Sequence, residues 1–462
     1  MNHNDRVQHV IARTAHKRKR YILYHMQQAQ RVFYNHALKW AITLANQEGL
    51  PLLVFFGLDP QFPDGNIRHF TFMIEGLFEV RTELKNRGIG FTFVVGRIWE
   101  SLKPLLSAAH AVVSDIGYLR YQREIRKMIY YEIIENHPDI DYYSVESDAI
   151  IPVRAASDKA EYGAYTFRPK VNRLKDIFLE PFSMPKIHEA YIFDTNDALD
   201  SSLIQHLKVD RSTPATLYFR GGHSEARLRL DRFIDVHLPQ YESSNDPGLD
   251  VTSKLSPYLH FGQISALEIY HAIHTESLHP EAVAQVLEQL LVRRELAINY
   301  VYYQDGYDDF HHMTEPWAYR TMIEHQDDPR PYLYTENDYV RGETHDIYFN
   351  AAMKEMTLTG FMHGYMRMYW AKKIIEWSPS YLEAFHIITH LNNRYFLDGR
   401  DPTSYASIAW CFGKHDRPWQ ERPVFGKLRY MNQNGLKRKF AIDLYAQRMD
   451  ALDPSSLIHH PR

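Results

Sequence analysis

Four stretches of this 462-residue chain hold residue types of chemical use at telling spacings. Thr252, Ser253 and Ser256 gather three hydroxyls just ahead of Pro257, which suits the first turn of a helix with Ser256 as its cap. Hydroxyls, free backbone N–H groups and a positive helix end make an anion site fit for a diphosphate. A capped helix start explains the same residues without any ligand. His363, Arg367, Trp370, Ile374 and Trp377, at offsets of 0, 4, 7, 11 and 14, fall on one stripe of a helix. That stripe reads either as core around a satisfied cation or as a cofactor wall with redox-capable rings behind it.

The stretch from Leu391 to Pro402 crowds Asn392, Asn393, Arg394, Asp398, Arg400 and Asp401 between apolar helices. Turn chemistry accounts for Gly399 and Pro402, but not for so many charged and amide groups. From Trp410 to Phe440 there are eight Lys and Arg (among them Arg417, Arg422, Lys427 and Arg429) against Asp416 and Glu421. Trp410, Phe412, Trp419, Phe425 and Tyr430 are interleaved with them. Cations plus stacking rings are what a nucleic-acid backbone and unstacked bases require, and a solvated basic surface is the plain alternative.

The elements that must position these residues follow from periodicity. Strands are expected at Tyr21–Tyr24, Pro51–Gly57, Gly90–Val95, Ala111–Asp115 and Asp141–Val145. Helices are expected at Gln27–Asn46, Phe70–Asn86, Trp99–Ala109 and 119–136. This alternation predicts a parallel, Rossmann-like α/β domain over 21–150, behind a flexible N-terminus of residues 1–20. A connector with prolines at 152, 169, 181 and 185 covers 151–215. Beyond it the pattern is helical, with Glu281–Val301, Asn350–Glu376 and Leu382–Asn392 the clearest, and predicts a larger all-α domain over 216–462.

Several function classes drop out. No GxGxxG follows the first strand and no GxxxxGK[ST] occurs, so the usual dinucleotide and triphosphate loops are missing. HExxH, a GxSxG elbow and paired-cysteine spacing are also absent, and no metal ligand is assigned. Cys411 is the sole cysteine, which excludes an intrachain disulfide framework and fits a reducing compartment, cytoplasmic or nuclear. No run of about 18 apolar residues is present, so no membrane span is expected. The net charge of -4 means that any nucleic-acid site must come from local clustering.

On these strings the chain resembles the photolyases, and the class II cyclobutane pyrimidine dimer branch in particular. Leu255–Ser265 is similar to the family's FAD-diphosphate segment. His363–Lys373, Asn392–Pro402, Arg293–Ala297, Glu161–Tyr162 with Thr166–Lys170, Gly426–Met431 and Tyr24–Arg31 resemble further family segments, in order, over about 21–445. The resemblance implies an α/β antenna domain followed by a helical FAD domain. It also implies light-driven electron transfer from reduced FAD to a dimer flipped out of UV-damaged DNA, by a monomer. By the same carry-over Thr252, Ser253, Leu255 and Ser256 hold the diphosphate with Tyr241 and Gly399 nearby. Asn392 faces flavin N5, and Arg367 and Asp398 pair beside the ring. Glu295 contacts the dimer, with Asn299 one turn on. Trp410 lines the dimer pocket, and Arg429, with Arg417, Arg422 and Lys427, holds DNA. An antenna pigment, deazaflavin or folate, is left open.

One departure stands out. Where the family usually has a Trp between the inner Trp370 and the outer Trp377 of its photoreduction relay, this chain has Phe349. Repair from pre-reduced FAD is expected to survive and photoreduction to suffer. The alternative is a related photoreceptor that binds FAD without repairing; a DNA-binding protein without cofactor is a third.

Overall fold

The fold is that of a computed structural model, which describes residues 3–14, 17–275 and 278–454. Its first domain is a six-stranded sheet of β1 (Val7–Ile11), β2 (Tyr21–His25), β3 (Leu52–Leu58), β4 (Gly90–Val95), β5 (Ala109–Asp115) and β6 (Asp141–Val145), in the order β1-β6-β5-β2-β3-β4. β2 through β6 are parallel, and β2, β3 and β5 are buried along their whole length. That is why they read as continuous rather than alternating apolar runs. The expectation of a flexible start fails at residues 7–11, where β1 pairs antiparallel with β6. Its signal was weak because one face of an edge strand stays wet.

The first crossover helix is His36–Glu48, not Gln27–Asn46. Asp115, at the end of β5, accepts the backbone N–H groups of Gln27, Gln28 and Ala29 at 2.6, 2.6 and 2.7 Å. A carboxylate binding three successive amides competes directly with helix formation, so the chain stays a loop until Asn35 caps Leu38.

Beyond the connector the chain is helical, as expected, but one predicted helix is broken and another carries a π-bulge. Asn350–Glu376 is two helices, Ile347–Thr359 and Gly364–Trp377, separated at Gly360, whose φ of 76° lies where a Cβ is strained. Glu281–Val301 becomes Pro280–Leu287, a wider π-type turn over Glu288–Arg293, and Arg294–Tyr303. No helix among the described residues is long and apolar enough to cross a membrane.

Buried arginines join the two domains through carbonyls. Arg68, on helix Ile67–Asn86 of the first domain, donates to the carbonyls of Pro214, Met356, Thr357 and Tyr395 at 2.6–3.2 Å. Arg31 does the same to Ser147 and Gly262 at 2.7 and 2.9 Å. Several carbonyl dipoles converging on one guanidinium offset part of its desolvation. They also fix the ends of helices Ile347–Thr359 and Tyr381–Tyr395, which carry site residues.

Candidate functional site

A cavity of about 400 Å³ opens inside the helical domain, within the rough 300–1,000 Å³ range of cofactor clefts. It brings together Tyr241, Thr252, Ser253, Leu255, Ser256, Arg367, Trp370, Asn392 and Asp398, which are spread over more than 150 residues of sequence.

Several helices and one turn build it. Gly364–Trp377 is capped by His363, whose Nδ1 accepts from Tyr365 N at 3.2 Å while Nε2–H donates to the Ser244 carbonyl at 2.9 Å. Burial holds this imidazole down to about 4, so it is neutral and structural. One turn on, the Arg367 guanidinium meets Asp398 at 2.9 Å and donates through Nε to the Met362 carbonyl at 3.0 Å. It lies 4.0 Å above the Phe396 ring, a cation–π contact that flattens it against the cavity wall. Asn392, near the end of helix Tyr381–Tyr395, donates to Asn393 Oδ1 at 3.0 Å. Gly399 does not line the cavity. A Cβ there would stand 2.6 Å from the Asn392 carbonyl and 3.0 Å from Asn393 Cα, so glycine lets the turn close under Asn392.

The hydroxyl segment differs in detail from expectation. Helix Ser256–His260 has Leu255 at its cap position without a side-chain cap bond, so Ser256 is the first helical residue and its hydroxyl is not used as a cap. Lys254 takes a left-handed φ of 54°, and its ammonium is held by Asp250 and the Tyr218 hydroxyl at 2.8 and 2.7 Å. Thr252 Oγ1 is buried with no hydrogen-bond partner in the protein. A buried orphan hydroxyl costs free energy unless something meets it. The lining also carries Lys254, Arg293, Arg294 and Arg367, each ion-paired, with Asp250, Glu288, Asp148 and Asp398 respectively. An unpaired hydroxyl, ion-paired cations and apolar rings (Phe361, Phe396, Trp370) fit a flat aromatic ligand bearing a diphosphate, a class that includes FAD.

Two expected site residues lie elsewhere. Glu295 is fully buried, and its carboxylate accepts the backbone N–H of Ile150 at 2.5 Å and of Ile151 at 3.2 Å. Desolvation pushes its pKa up to about 8. Asn299, one turn on, accepts from Glu161 N at 2.8 Å and donates to the Lys159 carbonyl at 3.0 Å. Both bind backbone in and beside the connector, and neither lines the cavity. Their neighbours Arg293 and Arg294 line it instead, with Arg294 paired to Asp148 at 2.7 Å. The Arg-Arg-Glu string was visible, but not which member turns inward.

The basic segment also divides. Lys414 is buried against Glu315 at 2.6 Å, and Lys437, Arg438 and Lys439 sit on a separate helix, Gln433–Lys439. Arg417, Arg422 and Lys427 are exposed on one loop. Arg429 reaches back to Asp416 at 3.0 Å, its guanidinium 5.0 Å from the half-buried Trp410 ring and 4.2 Å from the Trp419 ring. Trp410 does not line the cavity; its helix, Pro402–Cys411, does so through Ser404, Ser407, Ile408 and Cys411.

Behind the cavity, the Trp370 indole N–H donates to the Met353 thioether at 3.0 Å. Phe349, one turn back on that helix, meets Trp377 edge-on, and both rings are buried. A smaller cavity of about 110 Å³ lies over the carboxyl ends of β2 and β3, at the switch point between β2 and β5. The Gln28–Gln122 amide pair, 2.7 Å apart, is part of its wall.

The family model for DNA photolyases matches residues 22–186. A deoxyribodipyrimidine photo-lyase of Methanothermobacter thermautotrophicus is 42% identical over 98% of this chain and 99% of its own length. One from Arabidopsis thaliana is 36% identical over 93% of this chain and 89% of its own. Among solved structures, a class III photolyase from Agrobacterium tumefaciens superposes with a TM-score of 0.74 at 18% identity, covering 96% of this chain and 90% of its own. A Synechocystis cryptochrome gives 0.72 at 14%, covering 96% and 92%. Full-length identity above 40% and a shared two-domain architecture agree with the cavity chemistry: this chain belongs to the DNA photolyase family of flavoprotein DNA-repair lyases.

Proposed function

We propose that this protein is a photolyase of the class II branch that splits cyclobutane pyrimidine dimers in DNA, using light and reduced FAD. The cavity carries this reading, because it gathers Thr252, Ser253 and Ser256, Arg367 with Asp398, and Asn392 around one space of cofactor size. When bound, FAD supplies a light-excited one-electron donor. The hydroxyls and the Lys254 turn would hold the diphosphate. Arg367, kept flat by Phe396 and fixed by Asp398, places positive charge where a negatively charged reduced ring is favoured. Asn392 offers an amide at the cavity wall. Buried apolar rings exclude water from the same space. Trp410, Arg429 and the exposed Arg417, Arg422 and Lys427 supply stacking surface and phosphate contacts for a strand whose damaged bases have been turned out of the stack.

The test is an absorption spectrum of the purified protein followed by illumination, under reducing conditions, with dimer-containing DNA. The expected outcome is a flavin spectrum and loss of dimers in light only. A flavin-loaded protein that leaves dimers intact in light would favour a photoreceptor instead.

A further inference from the structure

Helix Ala164–Phe178 starts beside the loop that carries Asp416 and Arg417. Tyr162 and Tyr165 project there into solvent, 40% and 67% exposed, with their rings 6.0 Å apart and tilted by 66°. The Tyr162 hydroxyl donates to the Asp416 carbonyl at 3.4 Å. The Asp416 side chain in turn holds Arg429. One turn along the helix, Arg168 clamps Glu288 with two bonds of 2.7 and 3.0 Å, and Arg293 shares that carboxylate at 3.2 Å. Two guanidinium groups on one carboxylate leave a positive charge over, and Arg293 also lines the cavity. Cations and open rings therefore form one arc, from the cavity wall across the connector to the Arg417–Trp419 loop.

A single exposed tyrosine at a helix start needs no explanation. Two adjoining rings beside an arginine pair, one of which lines the cavity, are different: this is the composition of a single-strand platform, with phosphates on the arginines and bases on the rings. We propose that Tyr162, Tyr165 and Arg168 form a second bank of the DNA groove, which takes nucleotides flanking the lesion once they are unstacked. The inference rests on the repair reading above, and it assigns the connector a recognition role that the helical domain alone does not fill.

The experiment measures binding of a dimer-containing duplex by the full-length, flavin-loaded protein across a salt series. Tyr165→Ala is expected to weaken binding about fivefold or more, and Tyr165→Trp to retain it, because stacking needs the ring and not the hydroxyl. Arg168→Gln is expected to lower the slope of log affinity against log salt by about 0.9, the loss of one phosphate contact. An oligonucleotide trimmed close to the dimer is expected to bind parent and Tyr165→Ala equally. Flavin absorbance and far-ultraviolet circular dichroism matching the parent's establish that the exposed substitutions leave the fold intact. If the parent binds and repairs while Tyr165→Ala and Arg168→Gln keep its affinity and salt slope, the second bank is overturned and the repair reading stands. A parent that neither binds nor repairs sinks both.

Discussion

Phe349 meets Trp377 edge to face, with ring centroids 5.3 Å apart and planes 63° apart, in the buried layer behind the cavity. Met353, one turn along the same helix, receives the indole N–H of Trp370. A phenyl ring and a thioether thus occupy the layer between two indoles, and a phenyl ring is far harder to oxidise than an indole. Phe349→Trp is expected to speed light-driven reduction of the bound flavin severalfold, read as bleaching of its oxidised absorption under blue light with an external reductant. Equal rates in parent and variant would show that electrons already pass this layer by another route.

Asp398 is the carboxylate partner of Arg367, and the pair is largely withdrawn from water. Removing one member strands the other charge, at a cost of about 3 kcal/mol. Asp398→Ala should therefore lower the denaturant midpoint and release flavin during gel filtration. Retention of full flavin occupancy would mean that the pair does not shape the cofactor wall.

Gly399 gives a sharper probe of the same wall. Gly399→Ala puts a methyl group 2.6 Å from the Asn392 carbonyl, and the backbone must move to relieve it. The expected result is a folded protein with much reduced flavin content, compared by absorbance ratio with the parent.

Glu295 makes stability depend on pH in an unusual direction. Burial raises its pKa from 4.5 to about 8, so the folded state holds a proton that the unfolded chain releases near 4.5. Its contribution is complete below about 4.5 and is lost as pH rises through about 8. Glu295→Gln keeps an oxygen for the Ile150 and Ile151 amides without the titration. The variant should show a flatter melting temperature between those values than the parent does. Glu295→Ala leaves both amides unpaired, at about 1–3 kcal/mol each, and should be less stable at every pH. A parent and Gln variant with parallel profiles would contradict this assignment.

Much of the fold could be read in the residues. The sheet strands announce themselves as short β-branched and aromatic runs at regular intervals, and β4 and β6 lie where expected. The pattern from Gln27 suggests a helix that does not form until residue 36, because three amides of that loop go to Asp115, far along the chain, and no local pattern records such a partner. The break at Gly360 hides in the same way, inside a run whose apolar spacing continues on both sides.

What the sequence determined by itself was the inventory: a diphosphate-type hydroxyl cluster, an Arg–Trp stripe, an amide-rich turn and a basic aromatic loop, in an order that resembles one family. Tertiary structure alone decided which members face the cavity. Successive helix residues point about 100° apart, so Arg294 lines the pocket while Glu295 beside it binds the connector. Periodicity fixes the angles between side chains; only packing against a second element sets which angle looks inward, because burial energy belongs to the pair of surfaces and not to either helix alone.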